Sequence, residues 1–409
     1  MRNGWGKASI SQLANVVTGK TPPTSDRSNY GSFLPFVSPA DLGEFKYISS
    51  SEKYLSKKGS EKARILPVGT CLFTCIGSTI GKVGVSAIEL TTNQQINAAI
   101  AKNGVCGEYL YYSLCDIAPK IKKLAGVQAV PIINKTEFEN QILWIPLEIA
   151  EQKAIADLLS TWDEAIEKTQ RLIQAKEKRF YALLSKLISD NGQLTTGKSD
   201  WKKVKLGAVC KVITSNVDKK TLQNETLVRL CNYMDVYKNF YITSAIDFME
   251  ASATTSEILK FHLKKDDVLL TKDSETPDDI ANSACVIEDL GSVLCGYHLS
   301  ILRPMQRIEG AYLNFALHTP RIRYEFSRQA NGATRFGLTM QAYNMVEIPL
   351  PPLEEQKQIA ETLSTAQQEI DLLKHLAEKY KTQKRGLMQK MLTGEWRIKP
   401  EILTKYKEA

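Results

Sequence analysis

Residues 152–166 read QKAIADLLSTWDEAI, and residues 356–370 read QKQIAETLSTAQQEI. Gln152, Lys153, Ile155, Ala156, Leu159, Ser160, Thr161 and Ile166 therefore recur at a fixed offset of 204 residues. Just upstream, Ile145-Pro146-Leu147 answers Ile348-Pro349-Leu350, and Gly107, Tyr109 and Leu110 answer Gly310, Tyr312 and Leu313, both at an offset of 203. A fainter front end follows suit: Trp5, Ile10, Leu13, Val16 and Val17 are matched by Trp201, Leu206, Val209, Val212 and Ile213 at an offset of 196. Such spacing marks an internal duplication, and it decides the fold before any single element is assigned.

The repeated stretch opens a long helix in each half. Ile155, Leu159, Trp162, Ile166 and Ile173 keep to the alternating steps of four and three that line one helix face, and Ile359, Leu363, Ile370, Leu373 and Leu387 do the same in the second half. A helix of some 40 residues is roughly 60 Å long at 1.5 Å per residue. Pro146 and the Pro349, Pro351, Pro352 cluster favour helix starts just beyond them, while Asn191-Gly192 and Gly394 sit where the helices should stop. Burying the two seams against each other as an antiparallel pair is the simplest expectation, with these ten residues as the inter-helix contacts. Residues 149–200 carry 8 Lys plus Arg against 8 Asp plus Glu, so the first helix is a poor grip for a phosphate backbone and reads as a spacer.

The remaining stretches mix short β-type runs (ILPVGTCLFTC, KVGVSAI, KDDVLLT, SACVIED) with Gly, Asn and Asp turns and short helical segments at 107–115 and 310–317. The expected fold class is α+β: two tandem domains joined by two long antiparallel coiled-coil helices, with an internal pseudo-twofold repeat. The boundaries read 1–148 for the first domain, 149–192 for the first connector, 193–350 for the second domain, 351–396 for the second connector and 397–409 for a tail. Inside this shared frame the halves differ. GSTIGKVG at 77–84 has no counterpart in LTKDSETPDD at 270–279.

The bulk numbers exclude several classes. No run of about 18 apolar residues occurs, and MRNGWGKASI lacks the apolar stretch of a signal peptide, so a cytoplasmic protein away from the membrane is expected. Eight cysteines without a CxxC or a His at ligand spacing argue for reduced, buried thiols and no metal site. The net charge of +8 permits nucleic-acid binding without requiring it. Residues 77–82 have their glycines too close for a phosphate-cradling loop, with Val83 where Ser or Thr should bind magnesium. No nuclease carboxylate cluster, dinucleotide fingerprint or Asn-Pro-Pro-aromatic motif is present, so no catalytic residue is assigned.

Together these residues resemble the DNA specificity subunit of Type I restriction-modification systems. The resemblance rests on IPLPP at 348–352 followed by EQKQIA at 355–360, on IPL at 145–147 followed by EQKAIA at 151–156, and on KRGLMQKMLTGEWR at 384–397. The first half departs from the pattern in having Pro146-Leu147-Glu148-Ile149 in place of paired prolines, and Ile188-Ser189-Asp190 in place of a Leu-Thr-Gly ending. Local likeness extends to RLCNYMDVYKN (229–239), FHLKKDDVLLTKDSE (261–275) and LCGYHLSILRP (294–304), and to VTGKTP (17–22), GSTIGKVG and TTNQQIN (91–97).

The resemblance implies two target recognition domains reading an asymmetric, interrupted site on double-stranded DNA, by a subunit that does no chemistry of its own. It further implies two methyltransferase (modification) subunits and restriction/translocase subunits as partners. S-adenosylmethionine, ATP and Mg belong on those partners, with no cofactor on this chain. Amides, hydroxyls and cations in the loops supply base-reading chemistry: Lys20, Thr21, Ser78, Thr79, Lys82, Asn93, Gln94 and Gln95 in the first domain, and Lys272, Asp273, Ser274, His298, Arg335 and Phe336 in the second. Two other readings remain at this level. One is a specificity component whose partner fuses methylation and cleavage, which neighbouring genes would reveal. The other is a structural adaptor with no DNA role, which a gel shift with the partner would expose.

Overall fold

The computed structural model describes residues 4–43, 45–126, 130–188 and 201–407. It divides into two compact units, residues 1–172 with 373–409 and residues 173–372. Each unit therefore contains one α+β domain and part of both long helices, Ile149–Leu187 and Leu353–Leu392. Asn191-Gly192 and the boundary between 192 and 193 lie outside the described residues. Residues 397–409, expected as a tail, include a short helix, Pro400–Lys407.

The first unit is built on a five-stranded sheet in the order Ala14–Thr18, Ile96–Ala101, Cys71–Thr74, Val83–Ser86, Tyr47–Ile48, antiparallel except for the last pair. In the second unit Cys210–Thr214, Leu299–Pro304, Val268–Thr271, Ser283–Val286 and Tyr241–Ile242 repeat that order and those directions. A second sheet also corresponds. Tyr30–Val37 lies between Tyr54–Leu55 and Leu90–Thr92, as Thr226–Cys231 lies between Met249–Ala253 and Val293–Cys295, antiparallel to the former and parallel to the latter in both units.

The central strands explain why their sequences read as continuous apolar runs. Side chains alternate across a strand, and here both faces are covered. Cys71 and Phe73 join the core under the helix Gly107–Leu124, while Leu72 joins a separate core with Val37, Leu66 and Leu90 of the second sheet. Val268 and Leu270 likewise face the helical side, and Leu269 faces Leu230 and Leu294. The helix expected at 107–115 runs on to Leu124 through Pro119. In the second unit Gly310–Leu317 stops and Pro320 opens a new helix to Gln329, the position proline tolerates best.

The repeated Glu-Gln pair has a structural explanation. Glu151 is 3% exposed and accepts from the Trp5 indole Nε1 at 3.4 Å, and Glu355 accepts from Trp201 Nε1 at 3.1 Å. Each bond ties the entry strand of a domain to the helix that follows it. Gln152 accepts from the Cys106 amide at 2.8 Å and donates to Pro146 O at 3.0 Å. Gln356 accepts from the Glu309 amide at 3.0 Å and donates to Pro351 O at 2.8 Å and Arg307 O at 3.0 Å. A buried amide with donors and acceptors in one plane can satisfy three backbone groups at a helix start, which neither Glu nor Leu could do.

Within each unit the helix segments run antiparallel. In the first, Asp163 pairs with Lys384 and Trp162 packs edge-on against Tyr380 at 5.8 Å, while Glu151 meets Arg397 at 2.6 Å. In the second, Lys176 pairs with Glu369. Ile155 and Leu159 are buried in the core of the first domain beside Met391 and Leu392. Ile359, Leu363 and Ile370 are buried in that of the second beside Phe180 and Leu184. These residues thus seal domain cores as well as helix seams, each contributing about 1.5–3 kcal/mol of burial. Trp162, Ile166, Ile173, Leu373 and Leu387 are half-buried.

Candidate nucleic-acid interface

Three loops meet at one end of each five-stranded sheet, held by the same backbone bonds in both domains. Cys75 N donates to Gln95 O at 2.7 Å, and Lys272 N donates to His298 O at 3.1 Å. Gly19 N donates to Ile96 O at 3.0 Å, and Ser215 N donates to Leu299 O at 3.1 Å. Ile133 N donates to Cys75 O at 2.9 Å, and Leu338 N donates to Lys272 O at 2.8 Å. Ile96 faces Thr74 as Leu299 faces Thr271, so the register is also shared. One backbone frame thus presents different side chains: Gln95 where the other domain has His298, and Cys75 where it has Lys272.

In the first domain the segments 17–22, 77–84 and 91–97 are brought together. A Cβ on Gly19 would lie 2.0 Å from Asn93 O, so only glycine admits that approach. The Thr21 hydroxyl donates to Gln94 Oε1, and Asn93 Nδ2 donates to Gln95 Oε1 at 2.9 Å. Lys20, Ser78 and Gln94 are exposed; Thr21, Thr79, Asn93 and Gln95 are half-buried. Lys82 turns away from this group, donating its ammonium to Pro39 O at 3.0 Å while its stem covers Gly43. A cleft of about 590 Å³ opens beside Thr21 and Asn93, walled by Tyr30, Phe36 and Tyr54.

In the second domain Asp273 collects two partners. One carboxylate oxygen accepts from His298 Nδ1 at 2.7 Å and the other from Arg335 Nη2 at 3.1 Å. Pairing with a carboxylate places a proton on Nδ1 of His298. Lys272 donates to Ser215 O at 2.8 Å, and its ammonium lies 4.4 Å from the centre of the Tyr297 ring. Burial pulls the Lys272 pKa down, and the neighbouring Asp273 charge opposes that. Ser274 and Phe336 face each other in a two-residue ladder. Ser274 is buried with its hydroxyl given to Thr276 O, and Phe336 packs on the domain core. Both serve as footing for the residues beside them.

The sequence reading passes over Tyr297, which is half exposed beside His298 and presents an aromatic face next to Lys272. It also passes over Gly332, where a Cβ would lie 1.9 Å from Arg335 O. The offset of 203 that relates Gln94-Gln95 to Tyr297-His298 was the signal available for the first.

Among the described residues no group of three or more His, Cys, Asp or Glu is arranged to hold a metal ion, and no helix is long and apolar enough to cross a membrane. All eight cysteines are free thiols. Burial raises Cys75 and Cys210 to about 12, far from the thiolate form.

The chain is 32% identical over 180 residues to the Type I restriction enzyme MjaIX specificity subunit of Methanocaldococcus jannaschii, covering 42% of this chain and 41% of the relative. It is 28% identical over 191 residues to the HindI specificity subunit of Haemophilus influenzae, again spanning 41% of the relative. A longer match, 22% identical over 415 residues, covers 97% of this chain and 93% of the M. jannaschii MjaVIII specificity subunit. The chain thus spans about two-fifths of the length of the first two relatives and nearly all of the third.

In fold it is similar to the crystal structure of a Type I restriction-modification S subunit from M. genitalium, with a TM-score of 0.59 at 17% identity, covering 95% of this chain and 96% of that one. It is also similar to a chain from a structure of type I restriction-modification complex assembly, with a TM-score of 0.54 at 17% identity, covering 95% and 98%. The family model described as Type I restriction modification DNA specificity domain matches twice, at residues 2–177 and 198–381, and the protein belongs to that family.

Proposed function

We propose that this chain is the non-catalytic, sequence-reading subunit of a Type I restriction-modification complex, with each domain reading one half of an asymmetric, interrupted DNA target. One observation carries the reading: two domains hold their loops with the same backbone bonds and register, yet present Gln94-Gln95 in one and Tyr297-His298 in the other. A shared frame with different tips is what two different half-sites require. Amides pair with adenine and cations with guanine or phosphate, so the two inventories favour different bases.

The reading assigns catalysis to partners. Two methyltransferase subunits carrying S-adenosylmethionine would each act on a flipped adenine, and a restriction/translocase subunit would supply the ATP- and Mg-dependent steps, in the cytoplasm. This chain would contribute the positioning of DNA and partners, and purified alone it should neither cleave DNA nor transfer methyl groups. Single-molecule mapping of N6-methyladenine in host genomes with and without the gene tests the whole reading. Loss of one interrupted motif on deletion is expected, and an unchanged methylome would overturn it.

A further inference from the structure

Arg335 is the best-prepared cation at the candidate interface of the second domain. Its backbone belongs to a tight hairpin closed by reciprocal bonds between Asn331 and Gly337, at 2.9 and 3.0 Å. Gly332, at φ +152°, leaves room for the Arg335 carbonyl where any side chain would collide. The guanidinium is then gripped from one side by Asp273, which His298 holds by its other oxygen. Asp273 is mostly buried, while the Arg335 side chain remains 62% exposed. Arg335 engages Asp273 through Nη2, and among the described residues Nη1 and Nε have no protein partner.

An arginine held sideways in a fixed plane differs from a phosphate-binding arginine. A carboxylate bonded to it would repel a phosphate, whereas a base edge carries no net charge. The planar fork matches the O6 and N7 acceptors of guanine in the major groove, the commonest specific base contact. We infer that Arg335 reads a guanine in the half-site recognised by the second domain, and that Asp273, braced by His298, is the positioning residue that presents it. This deepens the proposed DNA-reading function and rests on it.

The test is selection from a library of randomised half-sites by the full chain assembled with its methyltransferase subunits, comparing wild type with Arg335→Ala, Asp273→Asn and the double variant. In the Arg335→Ala complex, preference for guanine at one position should fall by roughly 5- to 150-fold while every other position is kept. Asp273→Asn should relax the same position, and the double variant should be no worse than Arg335→Ala, an equivalence that a merely structural Asp273 would not give. Unfolding midpoints within a degree or two of wild type would show that the fold is retained.

A wild-type complex that selects no motif would overturn the DNA-reading function and this inference with it. A wild type that selects a motif, with Arg335→Ala leaving every position unchanged or weakening all sequences equally as a phosphate contact would, overturns the guanine assignment alone. So does Asp273→Asn relaxing a different position.

Discussion

Replacing Gln356 by alanine removes one side chain that serves three backbone groups. Gln356 is fully buried, and its amide accepts from Glu309 N and donates to Arg307 O and Pro351 O. The bond to Pro351 O is buried, so its loss leaves an unsatisfied carbonyl at about 1–3 kcal/mol. The other two groups are partly accessible and lose about 0.5–1.5 kcal/mol each. The variant should therefore lose roughly 2–6 kcal/mol, a large part of a domain's ordinary margin of about 5–15 kcal/mol. Because the chain has two units, a single melting temperature would blur the effect. Hydrogen exchange read by peptide mass resolves it: amides in residues 305–317 and 347–359 should exchange roughly 30- to 20,000-fold faster, at about tenfold per 1.4 kcal/mol. Gln152→Ala should act in residues 102–114 and 142–155 and more weakly, because its bond to Gly104 O is long at 3.4 Å. Fully assembled, both variants should keep their DNA sequence preference. Loss below about 1 kcal/mol, or a changed target with unchanged stability, would refute the structural account of the Glu-Gln pair.

Two further outcomes follow from buried charges. His318 is half-buried against Phe240, and loss of hydration, aided by Arg323 and opposed by a bond to Asn314 O, lowers its pKa to about 4. The unfolded chain therefore binds the proton first as pH falls below about 6.5. Stability of the second unit should drop by up to about 3 kcal/mol between pH 6.5 and 4, a loss that His318→Asn should largely remove in urea titrations across that range. Arg397 forms a bidentate pair with the buried Glu151 carboxylate, at 2.6 and 2.9 Å. Arg397→Ala should cost about 1–3 kcal/mol in urea unfolding after discounting for the guanidinium's exposure, with faster exchange in residues 393–407. An unchanged midpoint would show that the pair contributes nothing.

The fold was legible because its strongest signals are periodic or repeated. The offset of 204 paired the helices, the prolines at 146 and 349 preceded their starts, and runs such as VLLT read as strands, although not as strands covered on both faces. Inter-helix residues such as Ile155 and Ile359 were recognisable as buried. That they also close the domain cores depended on which strands lay beside them. The candidate interface was legible only as segments. Composition marks a loop as polar but not which polar groups are already engaged inside the protein, as the bonds of Lys82 and Ser274 illustrate. Asp273, His298 and Arg335 are 25 and 37 residues apart and carry no joint spacing signal, so only sheet register brings them together. The pairing of Trp5 with Glu151 was within reach, since both residues recur in the second half with complementary donor and acceptor chemistry.

The central claim is that each domain reads its own half of one DNA target. The most direct measurement exchanges residues 1–145 for the corresponding segment of a relative with a known motif and maps methylated adenines genome-wide in a host expressing the full complex. The account expects one half of the motif to become the relative's, with the other half and the intervening gap unchanged. Both halves changing together, or neither changing in a complex that still methylates, would contradict it.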